Sequence, residues 1–221
     1  MGAAALREQF DSLLGGPLDW RTRPLPETVP SGMAGIELPR GGLIEIVGPA
    51  SSGRTSLLLA ILAVAGARRE VCALVDAEDA FDPASAAAAG VRLERLLWVR
   101  CGHHAEHALK AADLLVQGGG FGLAILDLGD TPLEAARRIS LTSWFRLRRA
   151  VEHTPAVLVT VARQSLAGAC ASLVLECGRD GAAWSGAPAS RLLRGIRARA
   201  TSTHRSRTCS PVFTAVALGE D

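Results

Sequence analysis

The segment Gly48-Pro49-Ala50-Ser51-Ser52-Gly53-Arg54-Thr55 constrains the fold more than any other part of the chain. It follows the apolar run LIEIV (43–47) and leads into SLLLAILAVAGA, which carries no charge before Arg68. A short buried strand, a glycine turn and an apolar helix in that order form the setting of a phosphate-binding loop. The glycines let backbone N–H groups curl around phosphate oxygens, and the helix N-terminus adds favourable partial charge. The pattern GxxxxGK[ST] is met except at Arg54, which stands where lysine is expected. Thr55 takes the place of the hydroxyl that holds Mg²⁺, and Ser56 follows it. A guanidinium is longer and planar where an ammonium is a compact point charge. The segment therefore predicts nucleotide binding with weakened positioning for hydrolysis.

The rest of the chain repeats the same rhythm. Apolar runs at 71–76, 96–99, 123–128 and 156–161 read as further short strands. They alternate with helices beginning near Pro83 and covering 104–117 and 133–152. Strands of four to six apolar residues, alternating with helices, predict an α/β domain whose mostly parallel sheet is covered on both faces. After residue 170 the runs SLVLEC, RLLRGIRARA and VFTAVAL follow without a long helix, which predicts an antiparallel C-terminal extension. Residues 200–210 are polar and basic and read as a loop. At the other end, Leu6, Phe10, Leu13 and Leu14 share a helical face, Gly15-Gly16 stops that helix, and a proline-rich stretch follows. This divides the chain into an N-terminal helix and linker (1–35) and a nucleotide-binding core with C-terminal strands (36–221).

Acidic residues stand at two of the strand ends, where ligands of open α/β sheets bind. Glu78 lies just beyond the strand ending at Asp76, and Asp127 lies in LAILDL. Asp127 is placed to orient Mg²⁺ through water, and Glu78 to activate a water for attack on a γ phosphate. Acidic residues at such ends also serve as ordinary helix caps, so their order behind the glycine loop is what singles them out.

Composition limits the remaining classes. Of 24 basic residues Lys110 is the single lysine, and the net charge is +2. The arginine excess reads as coding bias over most of the chain, but at position 54 it replaces the residue that hydrolysis most needs. Charges at Arg7, Glu8 and Asp11 argue against a secretory signal, and no apolar run is long enough for a membrane span. Five scattered cysteines without CxxC pairs suit free thiols in a reducing compartment. The expectation is a soluble cytoplasmic protein without a membrane partner. Cys101, His103 and His107 have some metal-ligand character, with the two histidines spaced to share a helical face, although a polar helix start explains them as well. The arginines of 137–149 and 191–207 suit either phosphate backbones or a solvated face.

Over roughly residues 28–178 the chain resembles the RecA recombinases. GPASSGRTSL is similar to their GPESSGKTTL, VDAEDAFDPASAAAAGVRLERLLWVR to the stretch starting at their catalytic glutamate, and ALKAADLLVQGGGFGLAILDLGD to their Walker B region. The resemblance implies a RecA-like core in which Gly48 to Ser56 hold the phosphates of ATP. It implies Mg²⁺ at Thr55 and Asp127, Glu78 as the catalytic base with Asp127 as the Walker B aspartate, and Asp82 beside the adenine. The departures matter equally. Ser85 replaces a tyrosine that stacks on adenine, Ala162 and Arg163 fall on an Asn-Gln pair that senses the γ phosphate, and Gln164 comes one place late. Both DNA-binding loop regions are short, and the large C-terminal domain of the recombinases is missing.

A shortened core of this kind resembles the ImuA family of mutagenesis accessory proteins. That resemblance implies an ImuB-like Y-family polymerase and a DnaE-type polymerase as partners, in the DNA-damage (SOS) response and translesion synthesis. Three readings stand at this point. One is an ATP-binding accessory protein acting through protein partners. Another is a DNA-dependent ATPase that assembles with RecA-like subunits on single-stranded DNA. The third is a structural regulator indifferent to nucleotide.

Overall fold

The computed structural model describes residues 28–187, 189–204 and 207–216. The expected helix at 3–14 and the first part of the proline-rich stretch lie outside them. Thr28–Pro30 (β1) and Glu37–Pro39 (β2) form a small antiparallel pair. Leu43–Val47 (β3) then leads through the glycine loop into Arg54–Ala67 (α1). Cys72–Asp76 (β4), Pro83–Ala88 (α2), Leu96–Arg100 (β5), Ala105–Gly118 (α3) and Leu123–Asp127 (β6) follow. Leu133–Arg137 (α4), Leu141–Val151 (α5) and Val157–Ala162 (β7) complete the alternating part. The chain then turns into Leu173–Ser185 (β8), Leu192–His204 (β9), Arg207–Cys209 (β10) and Val212–Val216 (β11).

Nine strands make one sheet in the order β10-β9-β8-β3-β7-β6-β4-β5, with β11 also on β9. The pairs from β5 across to β8 are all parallel. β8 with β9, and β9 with β10 and β11, are antiparallel. This is the mostly parallel α/β sheet with an antiparallel extension that the sequence predicts. α1 and α2 cover one face, where Leu57, Leu58, Ile61 and Leu62 meet Ile44, Ile46, Leu74 and Ile125. α3 and α5 cover the other, where Leu109, Leu115, Trp144 and Leu147 meet Leu43, Val75, Leu126 and Leu158. Because the middle strands are buried from both sides, their side chains are mostly apolar on both, without alternation.

One buried charge ties this core to the site. Glu45 of β3 is fully buried. Its carboxylate accepts from the Ser165 hydroxyl at 2.6 Å and from the backbone N–H groups of Leu166 and Ala167 at 2.7 and 2.9 Å. A carboxylate with three donors satisfies the rule that buried charge must be hydrogen-bonded. It also fixes the turn that leaves β7.

Two sequence expectations are corrected. The single helix at 133–152 is two, broken at 138–140. Arg138 and Ile139 close the first with tight bonds to Ala135 and Ala136, and Ser140 caps the second by accepting from the Ser143 N–H. The loop at 200–210 is largely strand. β9 continues to His204 because β8 runs beside it as far back as Val174, so pairing overrides the polar composition.

Candidate nucleotide site

The glycine loop stands where β3 ends, and the C-terminal ribbon closes over it. A Cβ on Gly48 would lie 2.4 Å from the Cys177 carbonyl oxygen of β8. Gly53 has a φ of +92°, and a Cβ there would lie 2.8 Å from the Ala198 Cβ and 2.9 Å from the Phe213 ring. Both motif glycines are therefore required twice, by the turn and by the strands packed on it. Pro49, Ala50 and Ser51 are exposed on the outside of the turn, and Ser51 adopts a left-handed φ of 58°. Ser52 is 1% exposed, and its hydroxyl has no hydrogen-bond partner within the protein. A buried hydroxyl left without a partner costs free energy, and in this loop a phosphate oxygen is the kind of acceptor that could relieve it. The loop thus fits the polyphosphate that its sequence suggests.

Arg54 is 7% exposed and lines a cavity beside the loop together with Thr55 and Asp127. Its Nη1 donates to the Gly129 carbonyl oxygen at 3.2 Å. The exposed Arg163, just past β7, donates from Nε to the same oxygen at 3.4 Å. Burial lowers the Arg54 pKa from the usual guanidinium range, against the pull of the Asp127 and Asp130 carboxylates.

Asp127 ends β6, in register with Asp76 at the end of β4. Its Oδ1 accepts from the Gly129 N–H at 2.8 Å. The carboxyl keeps some surface at the cavity mouth yet lies deep among protein atoms, and that desolvation pushes its pKa up to about 6. The Gly129 N–H and Arg54 oppose the shift, and Asp76 and Asp130 reinforce it. A carboxyl strained in this way gains from a nearby cation. Thr55 is exposed beside it, and both line a cavity of about 190 Å³ with Arg54, Asp82 and Ser85.

Asp76, which the sequence marks only as a strand end, is the structural carboxylate of this corner. It accepts from the N–H groups of Ala80 and Phe81 at 3.1 and 2.9 Å and from Trp98 Nε1 at 3.2 Å. Asp82 caps α2 through the N–H groups of Ala84 and Ser85 and the Ser85 hydroxyl. Those bonds lower its pKa, the Ser85 hydroxyl foremost. A wider groove of about 950 Å³ continues past Ser56 and Ser85 to Phe213 and Thr214, with alanines along α2. Phe213 had no signal in the sequence, since only pairing along β9 brings it to the loop.

Glu78 does not join the cavity that holds Arg54, Thr55 and Asp127. Its Oε2 lies 3.0 Å from His103 Nδ1. His103 is not on α3 with His107, as the spacing suggested. It precedes the helix with a left-handed φ of 66°, and His104 pairs with His107 instead, ring centroids 4.8 Å apart. Among the described residues no cluster of metal-ligating side chains forms. Gln164 accepts from Arg137 Nη2 at 3.2 Å and so is turned toward α4. No helix among the described residues is long and apolar enough to cross a membrane.

Residues 27–132 match the family model of the RecA N-terminal domain. The chain is 44% identical over 108 residues to Protein RecA of Mesorhizobium japonicum, covering 46% of this chain and 29% of that one. It is 31% identical over 156 residues to Protein RecA of Rickettsia bellii, covering 61% of this chain and 45% of that one. The core of this chain is therefore RecA-like, and the chain spans less than half the length of these curated relatives.

Proposed function

We propose that this RecA-like chain binds ATP with Mg²⁺ and acts as an accessory protein of the DNA-damage response, with hydrolysis weak or lost. The observation that carries the reading is the split at the glycine loop. The cradle keeps an unpartnered Ser52 hydroxyl for a phosphate, while Arg54 is committed to the Gly129 carbonyl. Binding and hydrolysis depend on different parts of such a site, and here only the binding part is intact.

In this reading the backbone of Gly48 to Gly53 holds the phosphates, with Ser52 donating to one of their oxygens. Thr55 and Asp127 hold Mg²⁺, which when bound neutralises phosphate charge. Asp82 and Ser85 lie beside the base. Glu78 is the group of the right type to activate water, but it bonds to His103 and does not line the cavity of Asp127 and Thr55. The protein would work through partners, an ImuB-like Y-family polymerase and a DnaE-type polymerase, in translesion synthesis. The short segments after β6 and β7 support that role over strand pairing.

Equilibrium binding of a fluorescent ATP analogue with Mg²⁺, paired with a phosphate-release assay with and without single-stranded DNA, tests the reading. Saturable binding with at most slow, unstimulated release is expected. Strong stimulation by DNA that is abolished in Glu78→Gln would instead support a DNA-dependent ATPase. Undetectable binding at millimolar nucleotide would leave a structural regulator.

A further inference from the structure

The chain's single lysine, three of its histidines and two arginines meet away from the glycine loop. A cleft of about 490 Å³ opens between the start of α3 and the α4–α5 turn. His103, His104, His107 and Lys110 line one wall, and Arg138 and Arg146 line the other. Of the lining side chains only Glu106 is acidic, and Arg146 shares its charge with Asp113 at 3.4 Å. Three cations and three imidazoles thus line a space open to solvent with one acid among them, and Asp113 and Glu78 outside the lining pair with Arg146 and His103. Ser140 and Ser143 add hydroxyls on the arginine wall.

His103 connects this cleft to the candidate site. Its backbone N–H donates to the Ala77 carbonyl at 2.9 Å, and its φ of 66° is a conformation that a non-glycine residue adopts at a cost. The ring is largely exposed in the cleft, while Glu78, its partner at 3.0 Å, is mostly enclosed. A proton on Nδ1 makes the imidazole the donor to Glu78. An oxyanion entering the cleft offers the same proton a second acceptor.

We propose that this cleft binds a phosphate-type oxyanion, and that its occupant competes with Glu78 for His103 and so frees the Glu78 carboxylate. The binding half stands on the cleft alone. The consequence for Glu78 rests on the nucleotide-site reading given above.

The test is ¹⁵N-edited NMR of the histidine rings at fixed pH and ionic strength, with sodium pyrophosphate and an oligodeoxythymidylate 20-mer as separate probes. Chloride at matched ionic strength is the control. Movement of the His104 and His107 resonances by pyrophosphate alone identifies a free phosphate as the ligand. Movement by the 20-mer, alone or with pyrophosphate, identifies a backbone phosphate. The double variant Lys110→Ala/Arg138→Ala, both surface positions, is expected to weaken either response at least tenfold. If neither probe moves these resonances beyond the chloride control, the site does not exist. Glu78→Gln is expected to shift the His103 ring nitrogens in the free protein, and unmoved nitrogens would overturn the competition. ATP-analogue binding is followed in the same samples. Its loss with the cleft response intact would fail the nucleotide reading and leave the cleft standing.

Discussion

Arg54 and Arg163 donate to one acceptor, the carbonyl oxygen of Gly129, at 3.2 and 3.4 Å. Two like charges at one oxygen is a costly arrangement, offset by the Asp127 and Asp130 carboxylates near Arg54. The residue at the lysine position of the loop is thereby drawn into a contact across the ends of β6 and β7.

Replacing Arg54 by lysine tests this arrangement. The shorter side chain carries a point charge and gives up the fork that suits Gly129. Arg54→Lys is expected to tighten ATP·Mg²⁺ binding by about tenfold, which is about 1.4 kcal/mol. Titration calorimetry of both proteins measures it. Arg54→Ala leaves Asp127 beside Asp76 without its cation, and chemical denaturation should show a loss of about 1–3 kcal/mol.

Asp127 has a pH signature. Its folded pKa of about 6 lies above the ordinary carboxylate value of 3.8. Between those values the folded protein keeps a proton that the unfolded chain has lost, so this group makes stability fall as pH rises, until about pH 6. Asp127→Asn removes that cost and retains an oxygen to accept from Gly129. The variant should melt higher than the parent at pH 7.5 and alike near pH 3.5, read by calorimetry at both values. Equal melting differences at the two pH values would contradict the assignment.

Ser52 separates binding from folding. Its buried hydroxyl has no partner, so Ser52→Ala should leave the free protein within about 0.5 kcal/mol of the parent or slightly more stable. The same variant should bind the ATP analogue several-fold more weakly, because a phosphate oxygen loses its donor. Thermal melts with and without nucleotide check both halves.

Gly53 tests the seat of the ribbon. Alanine there must adopt a φ of +92° and push against Ala198 and Phe213. Gly53→Ala should cost about 1–3 kcal/mol by urea titration. Combining it with Phe213→Ala should recover part of that loss, since the aromatic neighbour is then gone.

The alternating core was legible because its cause is local. Runs such as LIEIV and LAILDL are apolar but for one acid each, and a strand buried on both faces needs no partner to be recognised. Ser140 was a missed local signal, a serine cap able to split 133–152. The placement of Glu78 was not legible, because its partner His103 lies on a different connection and reaches it only through a left-handed turn.

The sequence by itself determined the α/β alternation, the glycine loop and the exchange of lysine for arginine, since neighbours along the chain set propensity, turn chemistry and burial. Tertiary structure alone decided what Arg54 touches, that Phe213 and Ala198 close on Gly53, and that Glu78 answers to His103. Those contacts join residues 75, 160, 145 and 25 positions apart, and only the register of the sheet and the packing of its ends bring such pairs together.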